Sequence, residues 1–241
     1  LYFFLLIIYI VFNWMILRKK IVLYLISFLV FLMFVEQSYS NQNEIIGEKN
    51  YYHEYEAFNS DNTINVVIEI PAGDNDKWEL WKKDGSIRWE YQNNSFRKIK
   101  YLPYISNYGF IPQTLFSKDI GGDGDPIDVI VLDQRLDRGS VIKCKILGVM
   151  NMSDEGFNDS KIIAVSLNSN VFNASIINNF NDLKLNYPGA LEIIEIWFGN
   201  YKLSNNIVIN GYGNINEANK LINDSIKPYK LIKGFWENNK K

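Results

Sequence analysis

Three carboxylates stand within six residues, at Asp123, Asp125 and Asp128, among Gly121, Gly122, Gly124 and Pro126. Like charges this close repel, so the stretch calls for a cation, and hard cations such as magnesium and calcium take oxygen ligands. In extended backbone Asp123 and Asp125 share one face and Asp128 has the opposite parity. Pro126 forbids a regular ladder and the glycines permit unusual angles. The expected shape is a tight loop that turns all three carboxylates inward, ahead of a buried strand Val129–Leu132. The plain alternative is a solvated acidic turn, because Asp, Gly and Pro are turn formers. An EF-hand is excluded by spacing: counted from Asp123, positions 5, 6 and 12 are Ile127, Asp128 and Gln134, not Asp/Asn, Gly and Glu.

Composition narrows the chemistry further. The 241 residues have room for one sizeable domain and an extension. With 25 basic and 27 acidic residues the net charge is −2, so no broad nucleic-acid surface is expected. Cys144 is the only cysteine and His53 the only histidine, which excludes an intramolecular disulfide, a zinc finger and a histidine-based triad. Catalysis must then run on carboxylates, Lys, Arg, Tyr and a bound ion.

Several elements are placed to present such groups. Asn65–Pro71 reads as a strand carrying Glu69 among apolar residues, where a charge is costly unless paired or bound to a cation. Lys77 and Glu79 fall on one side of the next strand, Trp78 and Leu80 on the other. Asp84-Gly85 fits a hairpin turn into Ile87–Trp89. Phe96 to Tyr108 interleaves basic and aromatic residues, a pattern also found on single-strand-binding barrels, but the net charge disfavours that use. Gly139–Val149 reads as a strand, and Asp154–Lys161 supplies a second acidic cluster before the apolar strand Ile162–Val165. Alone, that cluster reads as an acidic hairpin turn; beside the first loop it would help surround divalent ions. The pattern turns helical from Ser175, with a start at Asn181-Asp182-Leu183 and apolar residues at helical spacing from Leu191 to Tyr201. A strand at Ile207–Gly213, a closing helix over Asn214–Ser225 and a polar tail complete the chain. Residues 41–62 form a polar lead-in without clear periodicity. These patterns support mixed α+β, with short strands before two C-terminal helices.

Asp123-Gly-Asp125-Pro-Ile-Asp128 resembles the D-x-D-P-x-D signature of the soluble family I inorganic pyrophosphatases, and the likeness extends from about Asn65 to Lys202. Val-Ile-Glu69-Ile-Pro looks like the family's first strand, whose Glu contacts metal. Lys77-x-Glu79 resembles its phosphate-binding Lys with an acidic partner. Arg97 matches the phosphate-binding Arg, with Lys98 adjacent as the competing register. Asn107-Tyr108-Gly109 looks like the family's Asn-Tyr-Gly segment, and Tyr104 matches a second tyrosine upstream. Asp154, Glu155, Asp159 and Lys161 are similar to its D-E-x-x-x-D-x-K segment, and Tyr201-Lys202 to a pair that holds the outgoing phosphate.

The resemblance implies an OB-type closed antiparallel β-barrel with flanking helices, spanning residues 63–232 between the lead-in and a polar tail 233–241. It implies magnesium-dependent hydrolysis of pyrophosphate to two phosphates, with several magnesium ions per site. Asp123, Asp128 and Asp159 would hold the tightest ion, and Asp154 and Glu155 belong to the metal-binding set. Asp125 would accept the proton of a metal-bridging water. Glu69 and Glu79 would coordinate metal arriving with substrate. Lys77, Arg97, Tyr104, Tyr108, Lys161, Tyr201 and Lys202 would hold the phosphates. A homo-oligomer is implied, and no nucleic-acid partner. The alternatives are an exported binding module for divalent cations or polyphosphate, and a hydrolase of another phosphoanhydride.

Residues 1–40 follow another pattern. Arg18-Lys19-Lys20 precedes an uncharged run of 15 residues, Ile21–Val35, and Ser38-Tyr39-Ser40 places small residues at −3 and −1 of a cut before Asn41. This reads as a secretory signal peptide opening at Met15, with residues 1–14 upstream of the true start. An uncleaved anchor is the alternative, although 15 residues fall short of the roughly 20 that span a bilayer. The expectation is an exported, periplasmic protein; an inner-membrane anchor or a cytoplasmic location are the alternatives.

Overall fold

The computed structural model describes residues 14–15, 17–28, 43–203 and 206–239. The chain divides into a unit Leu1–Gln42 and a unit Asn43–Lys241. In the first, residues 17–28 are helical with exposed side chains. Among the described residues no helix is long and apolar enough to cross a membrane. The expected cut site at residues 38–41, residues 29–35 of the apolar run and residues 1–13 upstream of the expected start lie outside the described residues.

In the second unit the strands are β1 (Glu44–Ile45), β2 (Ile64–Ile70), β3 (Trp78–Trp81), β4 (Ser86–Trp89), β5 (Tyr91–Gln92) and β6 (Ser95–Phe96). They continue with β7 (Asn107–Phe110), β8 (Asp128–Leu132), β9 (Val141–Asp154), β10 (Phe157–Asn158), β11 (Lys161–Ser166) and β12 (Ile207–Gly213). The helices are α1 (Phe180–Asn186), α2 (Ala190–Asn200) and α3 (Ile215–Asn239). The class is α+β.

Five strands carry the architecture. β2 pairs with β7, β7 with β8, β8 with β11, β11 with β9, and β9 returns to pair with β2. The expectation of an all-antiparallel arrangement is corrected here. β8 and β11 run parallel, with Ile162 opposite Val129 and Val165 opposite Leu132. The long connection through β9 brings the chain back in the same direction, and parallel pairing needs such a crossover. Both faces of these strands are apolar, so successive residues enter different clusters. Ile130 and Leu132 join Val67, Ile163 and Val165, whereas Val129 and Val131 join Ile68, Ile162 and Ala164.

Alternation found the strands better than it found their ends. β9 runs on to Asp154, five residues past the expected end, because Met150 and Met152 keep alternating into the core. The hairpin at Asp84-Gly85 is present between β3 and β4, with the Gly85 N–H donating to Trp81 O at 2.8 Å.

The helical part departs more from expectation. α1 starts at Phe180 with Asn179 as its cap, whose side chain accepts from the N–H groups of Asn181 and Asp182. Among the described residues three helices, not two, follow residue 175. α3 extends past Ser225 to Asn239, so residues 233–239 of the expected polar tail are helical. Proline at Pro228 is accommodated within it, and Tyr229 and Trp236 supply apolar anchors that a count of polar residues missed. The Trp236 ring stacks on His53 at 4.5 Å, and the Tyr229 hydroxyl lies 2.8 Å from His53 Nδ1. The lead-in is likewise part of the body. β1 pairs with β4, and Tyr51, Tyr52, His53 and Ala57 are buried.

Candidate active site

The loop before β8 is built by its own backbone. Gly124 N–H donates to Phe116 O at 2.8 Å, Phe116 N–H to Asp125 O at 2.7 Å, and Asp125 N–H to the Asp123 carboxylate at 2.9 Å. Gly122 is required by close approach, since a Cβ there would meet Phe116 O at 2.3 Å. The hydroxyl of buried Thr114 accepts from Ile127 N–H at 3.0 Å, fixing where β8 begins. Asp128 then opens the strand with Val129 buried behind it.

The second acidic cluster is also a turn, and both readings of it hold together. Glu155 and Gly156 join β9 to β10 with φ of +51° and +87°, the sign that a two-residue hairpin of the I′ type demands. The Asn158 N–H donates to Gly121 O at 2.9 Å and ties this turn to the first loop. The two acidic stretches therefore converge.

All the site residues expected from the sequence except Tyr104 line one cavity of about 590 Å³. Glu69 comes from β2, Glu79 from β3, Lys77 from just before β3, and Tyr108 from β7. Asp128, Lys161 and Tyr201-Lys202 come from β8, β11 and the end of α2. Arg97 lies on the wall and Lys98 does not; Lys98 pairs with Asp76 at 2.5 Å. Tyr104 stands behind the wall, buried against Trp197 at 4.5 Å and Tyr108 at 5.4 Å between ring centres. Its segment precedes β7 and packs on α2, so it supports Tyr108 from the rear. Lys82 and Lys83 line the cavity and were missed, because two lysines in a hairpin loop look like any solvated turn.

Cations and carboxylates are interleaved. Lys161, 3% exposed, donates to Asp128 and to Asp159, each at 2.5 Å. Lys202 pairs with Asp154, Lys82 with Asp125 at 2.5 Å, and Arg97 with Glu90 at 2.7 Å. Glu69 accepts from Leu80 N–H at 2.6 Å.

Burial and crowding shift these groups. Burial pushes the Glu69 carboxyl up to about 8, with Lys77 opposing. Loss of solvation, reinforced by Asp128, Asp125 and Asp159, pushes Asp123 up to about 6. Asp159 is raised by burial against the pull of Lys161. Burial disfavours charge on Lys161 and Lys77, yet the facing carboxylates outweigh it and hold both above the ordinary range. Lysines with such partners stay charged.

Eight carboxylates and six cationic side chains line the cavity, so its wall carries a formal excess of negative charge. A polyanion entering such a wall needs cations with it. The donors are all hard oxygens, and Asp154 Oδ1 is buried with no hydrogen-bond partner, which fits magnesium. Among the described residues no three carboxylates are drawn together into a ready ligand group. Between Asp128 and Asp159 the ammonium of Lys161 takes the central place.

Fold and site together define an α+β protein with a cavity in which carboxylates and cationic side chains face one another. Known proteins make the assignment narrower. Residues 66–230 match the family profile described as inorganic pyrophosphatase. The inorganic pyrophosphatase of Ralstonia nicotianae is 36% identical over 175 residues, covering 70% of this chain and 92% of the relative. The human inorganic pyrophosphatase is 34% identical over 166 residues, 63% of this chain and 57% of its own length. Among solved structures, the inorganic pyrophosphatase of Schistosoma japonicum superposes with a TM-score of 0.71 at 31% identity, covering 76% of this chain and 72% of that one. That of Neisseria gonorrhoeae does so with a TM-score of 0.61 at 31% identity, covering 73% and 97%. The chain belongs to the inorganic pyrophosphatase family. It spans nearly the whole of the bacterial relative and little more than half of the human one.

Proposed function

We infer that the chain hydrolyses inorganic pyrophosphate to two phosphates with the help of magnesium. The observation that carries this reading is the convergence of both acidic loops and the Lys, Arg and Tyr groups on one cavity, in a chain of this family. Glu69, Glu79, Asp123, Asp128, Asp154, Glu155 and Asp159 would hold the cations, which when bound neutralise phosphoryl oxygens and acidify water. Asp125 accepts the proton of the attacking water from the cavity mouth. Lys77, Lys161 and Lys202 neutralise the phosphates, Arg97 binds two oxygens at once, and Tyr108 and Tyr201 donate from the wall. Tyr104 holds Tyr108 in place.

The cycle of five paired strands supports the OB-type barrel as the finer description of the fold, with α1 to α3 outside it. A homo-oligomer and an exported location belong to the same reading. Light scattering tests the first. The basic-then-apolar pattern of residues 18–35 supports the second, and fractionation of cells tests it.

The deciding assay is phosphate release from pyrophosphate by the full chain, with magnesium and with chelator. The wild type should turn over only with magnesium. D125N should lose about 10²–10⁴-fold in kcat, the usual contribution of a positioned base. A folded chain that binds magnesium yet releases no phosphate would leave only a binding module.

A further inference from the structure

Lys82 is the first residue after β3, in the loop that turns toward β4. Its ammonium donates to Asp125 Oδ1 at 2.5 Å and to Gly124 O at 2.8 Å. It thereby joins the β3–β4 hairpin to the acidic loop across the mouth of the cavity.

The three lysines that pair with carboxylates in the cavity differ in depth. The Lys161 side chain is 3% exposed, that of Lys202 28% and that of Lys82 45%, with Asp125 at 60%. Lys161 is fixed by two carboxylates within the protein. Lys82 holds one, in water, through a flexible stem and a compact charge. An exposed pair of this kind is weak and exchanges readily.

We propose that Lys82 is a placeholder counter-charge for Asp125, neutralising that carboxylate at the cavity mouth until divalent cations held by the neighbouring Asp123 and Asp128 take over that role and release it. The inference rests on reading the cavity as a magnesium site. Lys82 is then a positioning residue: it fixes the Asp125 carboxylate at the cavity mouth and lowers the cavity's affinity for cations in the absence of substrate. Once displaced, its ammonium stands free at the entrance, where an incoming polyanion passes.

Calorimetric titration of magnesium into the chelator-treated full chain, without substrate, tests this. K82M keeps the stem and removes the competitor, so magnesium should bind about 1.4- to fivefold tighter, the range set by an exposed ion pair. K82R, which retains the pairing, should bind no tighter than wild type. K83M removes a neighbouring charge from the same wall and should change affinity less than K82M. Unchanged or weaker binding in K82M overturns the proposal, as does equal tightening in K83M. Should K82M not fold, K82Q carries the same comparison. Pyrophosphate hydrolysis by the wild type is assayed separately. Its absence would defeat the functional reading, whereas a K82M titration equal to wild type would defeat only the role of Lys82.

Discussion

Lys161 is the cation most deeply committed to the site, and its burial sets what its loss would do. Its ammonium satisfies Asp128 and Asp159 at once, inside the protein. K161M would leave two partly buried carboxylates facing each other without a counter-charge. Breaking a buried pair from one side costs about 3–5 kcal/mol. Urea unfolding in chelator should register a loss of that size, and magnesium should restore part of it by taking the ammonium's place. A variant as stable as wild type in chelator would contradict this account. Such coupling is invisible in the sequence. Asp159-x-Lys161 can be read as a motif, but nothing in the spacing says that the same lysine also serves Asp128 at the start of β8.

At the level of elements, the close packing of β7 on β2 depends on Gly109. A Cβ there would lie 1.9 Å from Val67 O, with no side chain able to move aside. G109A should therefore lose cooperative thermal unfolding, which circular dichroism would show. The lead-in makes a second case. The Tyr52 hydroxyl donates to Thr114 O at 3.1 Å, and the Thr114 hydroxyl accepts from Ile127 in the acidic loop. Y52A should cost about 3–5 kcal/mol, as large aromatic truncations in cores do, and chemical denaturation would measure it. These contacts explain what was legible and what was not. Strands such as Ile162–Val165 announce themselves by a continuous apolar run. Acidic loops do so by charge crowding that few folds tolerate. Residues 43–58 and the last turns of α3 are mostly polar, and a few aromatics fix them through contacts distant in sequence. The parallel pairing of β8 with β11 was hidden for a similar reason: apolar runs define strands, whereas their direction depends on the intervening path. Lys82 has the most ordinary context of all the lining residues, and only the distance to Asp125 reveals it.

On the scale of the whole molecule, cation binding and stability should be linked. A ligand that binds only the folded chain adds about 2.7 kcal/mol when present at 100 times its dissociation constant. Magnesium should therefore raise the melting temperature of the second unit in a concentration-dependent way, and chelator should remove the gain. The cavity is assembled from β2, β3, β7, β8, β9, β11 and the end of α2, so no single element can bind by itself. A melting temperature indifferent to magnesium would separate the acidic loops from any cation.

β9 pairs with β2, β10, β11 and β12, partners drawn from residues 64 to 213. Its role therefore extends to the order of events during folding. Contacts between residues so far apart are slow to form, because loop-closure entropy must be overcome before they contribute. The pairing of β2 with β9 joins the most distant partners in the cycle. Refolding should show secondary structure well before enzymatic competence, with pyrophosphate hydrolysis recovering in the slowest phase. Catalytic activity would then serve as a clock for the last step of assembly.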